Sequence, residues 1–433
     1  MLRIKRNNMV GFGLIFISAM VYFISLLIGG DNIITYALIL VFLTFALLFN
    51  NQFELISPAV LFTAYYIYSI AAGPIVLMIM GRFYRYGYTK IILGGLLAFA
   101  CGNAIFFLFK KKILEREDKT KIRISFSRIQ ALYMLLAVSW IASLYYFVKN
   151  RAYLIGNVEE GRVSAISGNG ALLYTAQVSV LLVCMLFDIY IESKKDQNPL
   201  ISKFMMIFVT VVSSLTLLVS GFRAPVATLF ICMIVMYAGK KRIPTWKIFL
   251  YGLLCIVGVA ALGAIRTSMS GGVSSTLSSL ITSLYVGDIN INYMYNTFPG
   301  KVGFQNGYTY LINFLMLMPG PDLDFTLWLK EQVGISFSGG GLTPTIIGEF
   351  YINFGEIAIF IGMFLMGAFS VYLNRYFKQH KESFLAVFYV WQFAHCVSGG
   401  IANVCVAVLL YTIVYKCLIM LPYKSKGSSI NGI

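Results

Sequence analysis

The chain has 433 residues, of which 59% are hydrophobic and only 12% are charged. Soluble domains are about half apolar and a quarter charged, and disordered chains are poor in apolar residues, so this composition excludes both classes. The net charge of +17 is spread over short segments between apolar runs. That pattern indicates membrane topology and argues against nucleic-acid binding.

The apolar runs are roughly 16 to 22 residues long, the length that crosses a bilayer as a helix. Twelve runs follow one another along the chain: 9–29, 34–49, 55–80, 91–109, 129–148, 171–191, 204–219, 225–239, 248–265, 352–373, 384–397 and 401–421. Only helices satisfy their own backbone in lipid at this length. We therefore predict an all-α integral membrane protein with about twelve transmembrane helices, forming one polytopic domain over residues 1–433.

Lysine and arginine are unevenly distributed over the segments that join these runs. Alternate segments, starting with the N-terminus, hold 23 of the 34 basic residues, and the opposite set holds ten. Basic loops stay in the cytoplasm, so we predict a multi-pass protein of the cell inner membrane with both termini cytoplasmic. A smaller loop, 149–170, and a large loop, 266–351, then face the periplasm. Within the large loop, the apolar stretches 277–286 and 308–318 are too short to span and are predicted to be interfacial helices.

Seven cysteines and two histidines show neither a disulfide framework nor the spacing of a metal site. The cysteines lie in or beside apolar runs and fit packing roles, and we expect no cofactor and no metal. His395, near the outer end of a predicted span, is interpreted as a packing residue in preference to a catalytic one.

Two arginines lie on the predicted outer face. Arg223 belongs to a tight turn between two runs (SGFRAP, residues 220–225), and Arg266 ends another run on the same face. A guanidinium at the membrane boundary can bind phosphate bidentately, so both arginines are candidate ligands for a pyrophosphate. The alternative is an interfacial anchor that snorkels to water.

The most distinctive segment is 337–355, with the sequence FSGGGLTPTIIGEFYINFG. Its three glycines allow backbone N–H groups to approach a ligand closely. The following Thr343 and Pro344 predict a helix that begins there, with the threonine as its cap. The candidate loop and backbone residues of the segment are Gly339, Gly340, Gly341 and Pro344.

Two carboxylates are candidate general bases for a sugar hydroxyl. Glu349 lies in the helix predicted after Pro344, and Asp288 lies elsewhere in the large loop. For Glu349 the alternative is a buried structural carboxylate paired to one of the two arginines. The sequence leaves both possibilities open.

The chain resembles the O-antigen or oligosaccharide repeat unit polymerases, the Wzy family, at residues 220–225, at Arg266 and at residues 339–349 (GGGLTPTIIGE). It is also similar to the enterobacterial common antigen polymerases, which carry a Gly-x-Arg turn and a Ser-Pro-Thr-Leu-Ile-Gly stretch at corresponding places. The Arg-x10-Gly pattern of some members is absent from the outer loops here, so loop arginines such as Arg151 are not assigned a role.

The resemblance implies a GT-C-like glycosyltransferase that joins lipid-linked repeat units at the periplasmic face. The growing glycan on undecaprenyl pyrophosphate would pass to a hydroxyl of a new lipid-linked unit, with Arg223 and Arg266 holding the pyrophosphate. Membrane lipids, a chain-length regulator and a flippase are the implied partners. The product would be O-antigen or a related surface polysaccharide.

Two other classes remain open. A lipid-linked oligosaccharide flippase also fits twelve spans, but transporters tend to show repeated halves around a midplane site, whereas the charged residues here gather at one face. Another outer-face glycosyltransferase, such as an O-antigen ligase, is the second alternative. Ligases are expected to carry a histidine in the large outer loop, and residues 266–351 contain none.

Overall fold

The computed structural model describes residues 6–28, 32–81, 89–108, 126–154, 169–195, 200–219, 224–240, 276–315, 324–336, 341–380 and 384–420, with short pieces between 244 and 261. Within these ranges all regular structure is helical, which confirms the predicted all-α class. The α-helices are α1 Arg6–Ile28, α2 Ile33–Asn50, α3 Pro58–Tyr66, α4 Gly73–Ile79, α5 Thr89–Leu108, α6 Phe126–Leu154, α7 Gly170–Gln177, α8 Ser179–Lys195, α9 Lys203–Val219, α10 Ala224–Lys240, α11 Thr276–Thr297, α12 Thr309–Leu315, α13 Phe325–Val333, α14 Ile346–Phe354, α15 Glu356–His380 and α16 Phe384–Met420.

Among the residues that the structure describes, eight helical segments are long and apolar enough to cross a membrane. They are Asn8–Ile28, Ile33–Asn50, Pro58–Ile79, Thr89–Phe107, Arg128–Arg151, Gly170–Ser193, Glu356–Gln379 and Phe384–Ile419. Two shorter apolar helices, Lys203–Leu218 and Ala224–Gly239, coincide with two further predicted runs. Because the run 248–265 lies largely outside the described residues, the count of twelve stays a prediction.

The last helix, α16, folds back on itself. Gly400 has φ 73° and ψ 174°, which interrupts the helix. The rings of Phe388 and Tyr411 stack at 4.7 Å, and the hydroxyls of Tyr389 and Thr412 lie 2.8 Å apart. In a straight helix residues 23 apart would be separated by about 34 Å. Residues 384–399 and 401–420 therefore form a helical hairpin, called here the C-terminal hairpin, as the separate runs 384–397 and 401–421 predicted.

Two large hydrophobic clusters make up most of the core of the described residues, beside a small one around Tyr146 and Leu173. The first cluster draws on α1 to α5 and α11 to α16, and the second on α6 and α8 to α10 with α16. Near its turn the C-terminal hairpin contributes Phe393 and Val397 to the first cluster. Toward its open end it contributes Phe388 and Tyr411 to the second. The hairpin thus joins the two halves of the molecule.

The predicted run 55–80 is not a regular α-helix throughout. A π-helical turn, Ile67–Ala71, separates α3 from α4. Helix α11 packs against this turn closely enough that a side chain on Gly287 would overlap the Ser69 carbonyl oxygen. The close approach accounts for a glycine in the middle of α11, and it brings the large loop against the irregular part of the span.

The predicted run 352–373 starts too early. Gly355, with φ 78° and ψ −166°, ends α14, and α15 begins only at Glu356. This backbone conformation is essentially restricted to glycine. Helix α14 is therefore a separate element, and every residue from Ile346 to Asn353 is buried.

Candidate functional site

The candidate site lies where the segment before α14 meets the turn of the C-terminal hairpin. Thr345 caps α14: its hydroxyl accepts from the Gly348 N–H at 3.1 Å, and its own N–H donates to the Ser398 carbonyl at 3.2 Å. The prediction that Thr343 is the cap was wrong. The sequence Thr-Pro-Thr offers two caps, and docking on the hairpin selects the second.

Thr345 has φ 54°, which is unusual for a β-branched residue and costs about 1–3 kcal/mol. Such strain persists only where the surroundings hold the residue firmly. Here Thr345 is fully buried, so the contact with Ser398 has little freedom to change.

Glu349 is fully buried and faces the same turn. One carboxylate oxygen accepts from the Ile401 N–H, and the other accepts from the Ala402 N–H at 3.0 Å. These are the first two amides of the helix that follows Gly400, which have no partner within their own helix. Glu349 therefore caps the second arm of the hairpin from 52 residues away in sequence.

Burial raises the pKa of Glu349 to about 7, and the two backbone N–H donors act in the opposite direction. Burial, followed by the charge of Glu349, also raises the pKa of Tyr310 in α12. A carboxyl group that titrates near neutrality can exchange a proton under physiological conditions. Both of its oxygens are nevertheless committed to backbone amides.

Asparagine side chains tie the neighbouring segments to this junction. Asn353 donates to the Thr309 hydroxyl and to the Glu349 carbonyl, both at 2.7 Å. Asn313 donates to the side chain of Asn403, which donates to the Gly399 carbonyl at 2.7 Å. Helices α12 and α14 and the hairpin turn are thus held together by hydrogen bonds among buried and half-buried side chains.

Helix α11 carries the second predicted base. Asp288 is buried against α4, where a side chain on Gly73 would overlap it. Two residues on, Asn290 donates to the hydroxyl of Thr343 at 2.7 Å and to its carbonyl at 3.1 Å. Asp288 and Glu349 are therefore held by different elements on either side of the segment before α14.

The remaining predicted residues divide into two groups. Pro344 is buried beside the hairpin turn, and Gly341 packs so closely on Thr326 that any side chain would overlap it. The role of Gly341 at a ligand stays a prediction. The other residues lie outside the described ranges, namely Arg223, Arg266, Gly339 and Gly340.

Ion pairs mark the two ends of α15. Lys90, at the start of α5, lies 3.9 Å from Glu356 at the start of α15. Glu54, between α2 and α3, lies 2.7 Å from Lys378 near the other end. The predicted topology puts the first pair on the periplasmic side and the second on the cytoplasmic side.

Sequence reasoning missed Gly400, Thr345 and Asn290 as members of this junction. The signal for Gly400 was present, since Gly399 and Gly400 interrupt the last apolar stretch. The signal for Asn290 was weaker, because only the fold brings α11 next to Thr343.

A comparison with protein-family models decides the family. The model described as "Putative O-antigen polymerase" matches residues 7–411. The chain belongs to this O-antigen polymerase family. The match includes the segment before α14, α11 and the turn of the C-terminal hairpin, so the whole junction is part of the family's common region.

One curated protein shows a low sequence identity to part of the chain. The chain is 24% identical to an uncharacterized protein of Methanocaldococcus jannaschii over 200 residues. These residues make up 46% of this chain. The match covers 53% of the relative, so the chain spans about half the length of that protein. No solved structure matches the chain.

Proposed function

We propose that this protein polymerises undecaprenyl-pyrophosphate-linked oligosaccharide repeat units into O-antigen or a related surface polysaccharide at the periplasmic face of the inner membrane. The observation that carries the proposal is the family match over residues 7–411. The architecture supports the proposal, because a lipid-linked substrate lies in the membrane and a helical membrane protein can hold polar side chains between its helices at that place.

In the proposed reaction, a hydroxyl of the acceptor unit attacks the anomeric carbon that links the growing glycan to pyrophosphate. The new glycosidic bond forms, and undecaprenyl pyrophosphate leaves with the bonding electron pair. Arg223 and Arg266 would bind the pyrophosphate and stabilise the charge that develops on it. This role rests on the sequence and the resemblance.

Glu349 and Asp288 remain proposed as groups that take the acceptor proton. The pKa of Glu349 near 7 supports that role, since a general base works best near the ambient pH. Its hydrogen bonds to Ile401 and Ala402 support a positioning role, in which Glu349 holds the segment before α14 against the hairpin. Glu349→Gln and Asp288→Asn, assayed for polymerisation and for stability, separate the two roles.

The test of the proposed function is the surface polysaccharide of a deletion strain and of the same strain complemented with the gene. Loss of the polymer ladder, with core plus one repeat unit retained, supports the polymerase. Loss of all surface repeat units would instead indicate a flippase or a ligase. Arg223→Ala with unchanged polymer length and yield would refute the pyrophosphate role.

A further inference from the structure

An aromatic cluster lies beside the turn of the C-terminal hairpin. The centroid of the His395 ring is 6.3 Å from that of Tyr65 and 6.1 Å from that of Trp391, and the latter two are 6.0 Å apart. These three residues, called here the ring cluster, are only half-buried. Aromatic walls with a few placed polar groups are typical of small-molecule sites, and aromatic faces pack well on the apolar faces of sugar rings.

The ring cluster is tied to the candidate site through Tyr65. The Tyr65 hydroxyl lies 3.1 Å from the Ser398 hydroxyl, and the Ser398 carbonyl accepts from the N–H of Thr345. One turn along the same span, the Tyr68 hydroxyl lies 2.6 Å from the Ser283 hydroxyl of α11. Tyr68 belongs to the π-helical turn, a feature that occurs frequently at functional sites.

The ring cluster also lies where the two hydrophobic clusters meet. Tyr65 packs against the first cluster and Trp391 against the second. Trp391 donates its indole N–H to the Thr228 hydroxyl of α10 at 2.9 Å. Ligand sites occur preferentially at such junctions between packed units.

His395 supplies the imidazole of the ring cluster. Among the residues that the structure describes, none forms a hydrogen bond with its imidazole, which lies against the rings of Tyr65 and Trp391 and close to Gly399. The two carboxylates point elsewhere, since Glu349 holds two amides of the hairpin and Asp288 packs on α4. His395 lies five residues before Gly400, about 7 Å along the helix.

We propose that the ring cluster receives a sugar of the acceptor unit and that His395, instead of Glu349 or Asp288, takes the proton from its attacking hydroxyl. The inference rests on the proposed function and deepens it. As the acceptor oxygen bonds to the anomeric carbon, its proton passes to an imidazole nitrogen, and the bond to pyrophosphate breaks with the electron pair on the leaving group. Water then removes the proton from the imidazolium. This role reverses the packing interpretation that the sequence favoured.

The test uses the purified full-length protein in proteoliposomes with lipid-linked repeat units extracted from the deletion strain. His395→Ala should lower the polymerisation rate constant by about 10²–10⁴-fold. Binding of a single repeat unit should change by less than about tenfold, because the base acts in the transition state. Added imidazole should restore part of the rate, since it occupies the space that the side chain leaves. His380→Ala, at the end of α15, is the matched control and should leave the rate unchanged.

A His395→Ala rate close to that of the wild type, or a loss that imidazole does not restore, overturns the role of His395. If His395→Ala does not accumulate as a folded protein, His395→Gln keeps most of the volume, and a fall in kcat with unchanged acceptor KM is expected. A rise in KM with unchanged kcat for His395→Gln would contradict the proton transfer. Failure of the wild-type protein to polymerise these units would overturn the proposed function itself, and the role of His395 with it.

Discussion

Gly400→Ala tests the link between the hairpin turn and Glu349. A Cβ at this position would lie 2.6 Å from a Glu349 carboxylate oxygen and 3.0 Å from Cγ of Pro344. The carboxylate cannot retreat cheaply, because its two oxygens hold the amides of Ile401 and Ala402. The backbone conformation of Gly400 adds about 1–3 kcal/mol for any other residue. A displaced charge-assisted hydrogen bond adds about 1.5–3 kcal/mol.

The free energy of unfolding of Gly400→Ala should therefore fall by about 2.5–6 kcal/mol, measured by denaturant titration in mixed micelles. Gly399→Ala is the matched control. Its Cβ would meet nothing closer than 3.6 Å, so its stability should stay within about 1 kcal/mol of the wild type. Equal stabilities for Gly400→Ala and the wild type would show that the cap does not hold the turn.

Three further predictions concern charge and hydrogen bonding. Because the pKa of Glu349 is raised from 4.5 to about 7, the folded state binds the proton more tightly, and wild-type stability should fall by about 3 kcal/mol as the pH rises through that interval. Glu349→Gln should abolish this slope in unfolding titrations at about pH 5 and about pH 8, and a persistent slope would assign it to another group. Asn290→Ala should destabilise the protein by about 1–3 kcal/mol because Thr343 loses both hydrogen bonds. Asn296 is exposed on the same helix and is the control, since Asn296→Ala should change stability by less than about 0.5 kcal/mol. Lys90→Cys should react with an impermeant thiol reagent in intact cells and Lys378→Cys only after permeabilisation; the reverse pattern would invert the predicted topology.

The apolar runs sufficed to predict the helical class and most span positions, because burial of backbone in lipid leaves few alternatives. They also separated the two arms of the C-terminal hairpin, since two adjacent glycines interrupt the run. The start of α14 was misplaced by two residues because local sequence does not distinguish Thr343 from Thr345. Only the tertiary contact with Ser398 does so.

The environment of Glu349 lay beyond sequence reasoning for a different reason. A structural role was anticipated, but with an arginine as the partner. The observed partners are main-chain amides exposed by the break at Gly400, and backbone groups leave no trace in residue identity. The ring cluster was also missed, because Tyr65 and His395 are 330 positions apart in the sequence. Taken alone, each is one aromatic residue in an apolar run, which does not predict a site.

Helix α14 has a consequence for access to the site. It runs from the hairpin turn at its buried end to Gly355, beside the half-exposed ion pair of Lys90 and Glu356. Its nine residues correspond to about 13 Å of length. Helix α14 therefore separates the buried turn from the exposed ion pair by about this distance. A group that enters beside the ion pair must therefore extend about 13 Å along α14 to contact the turn, and an inhibitor directed at the junction from that side needs the same reach.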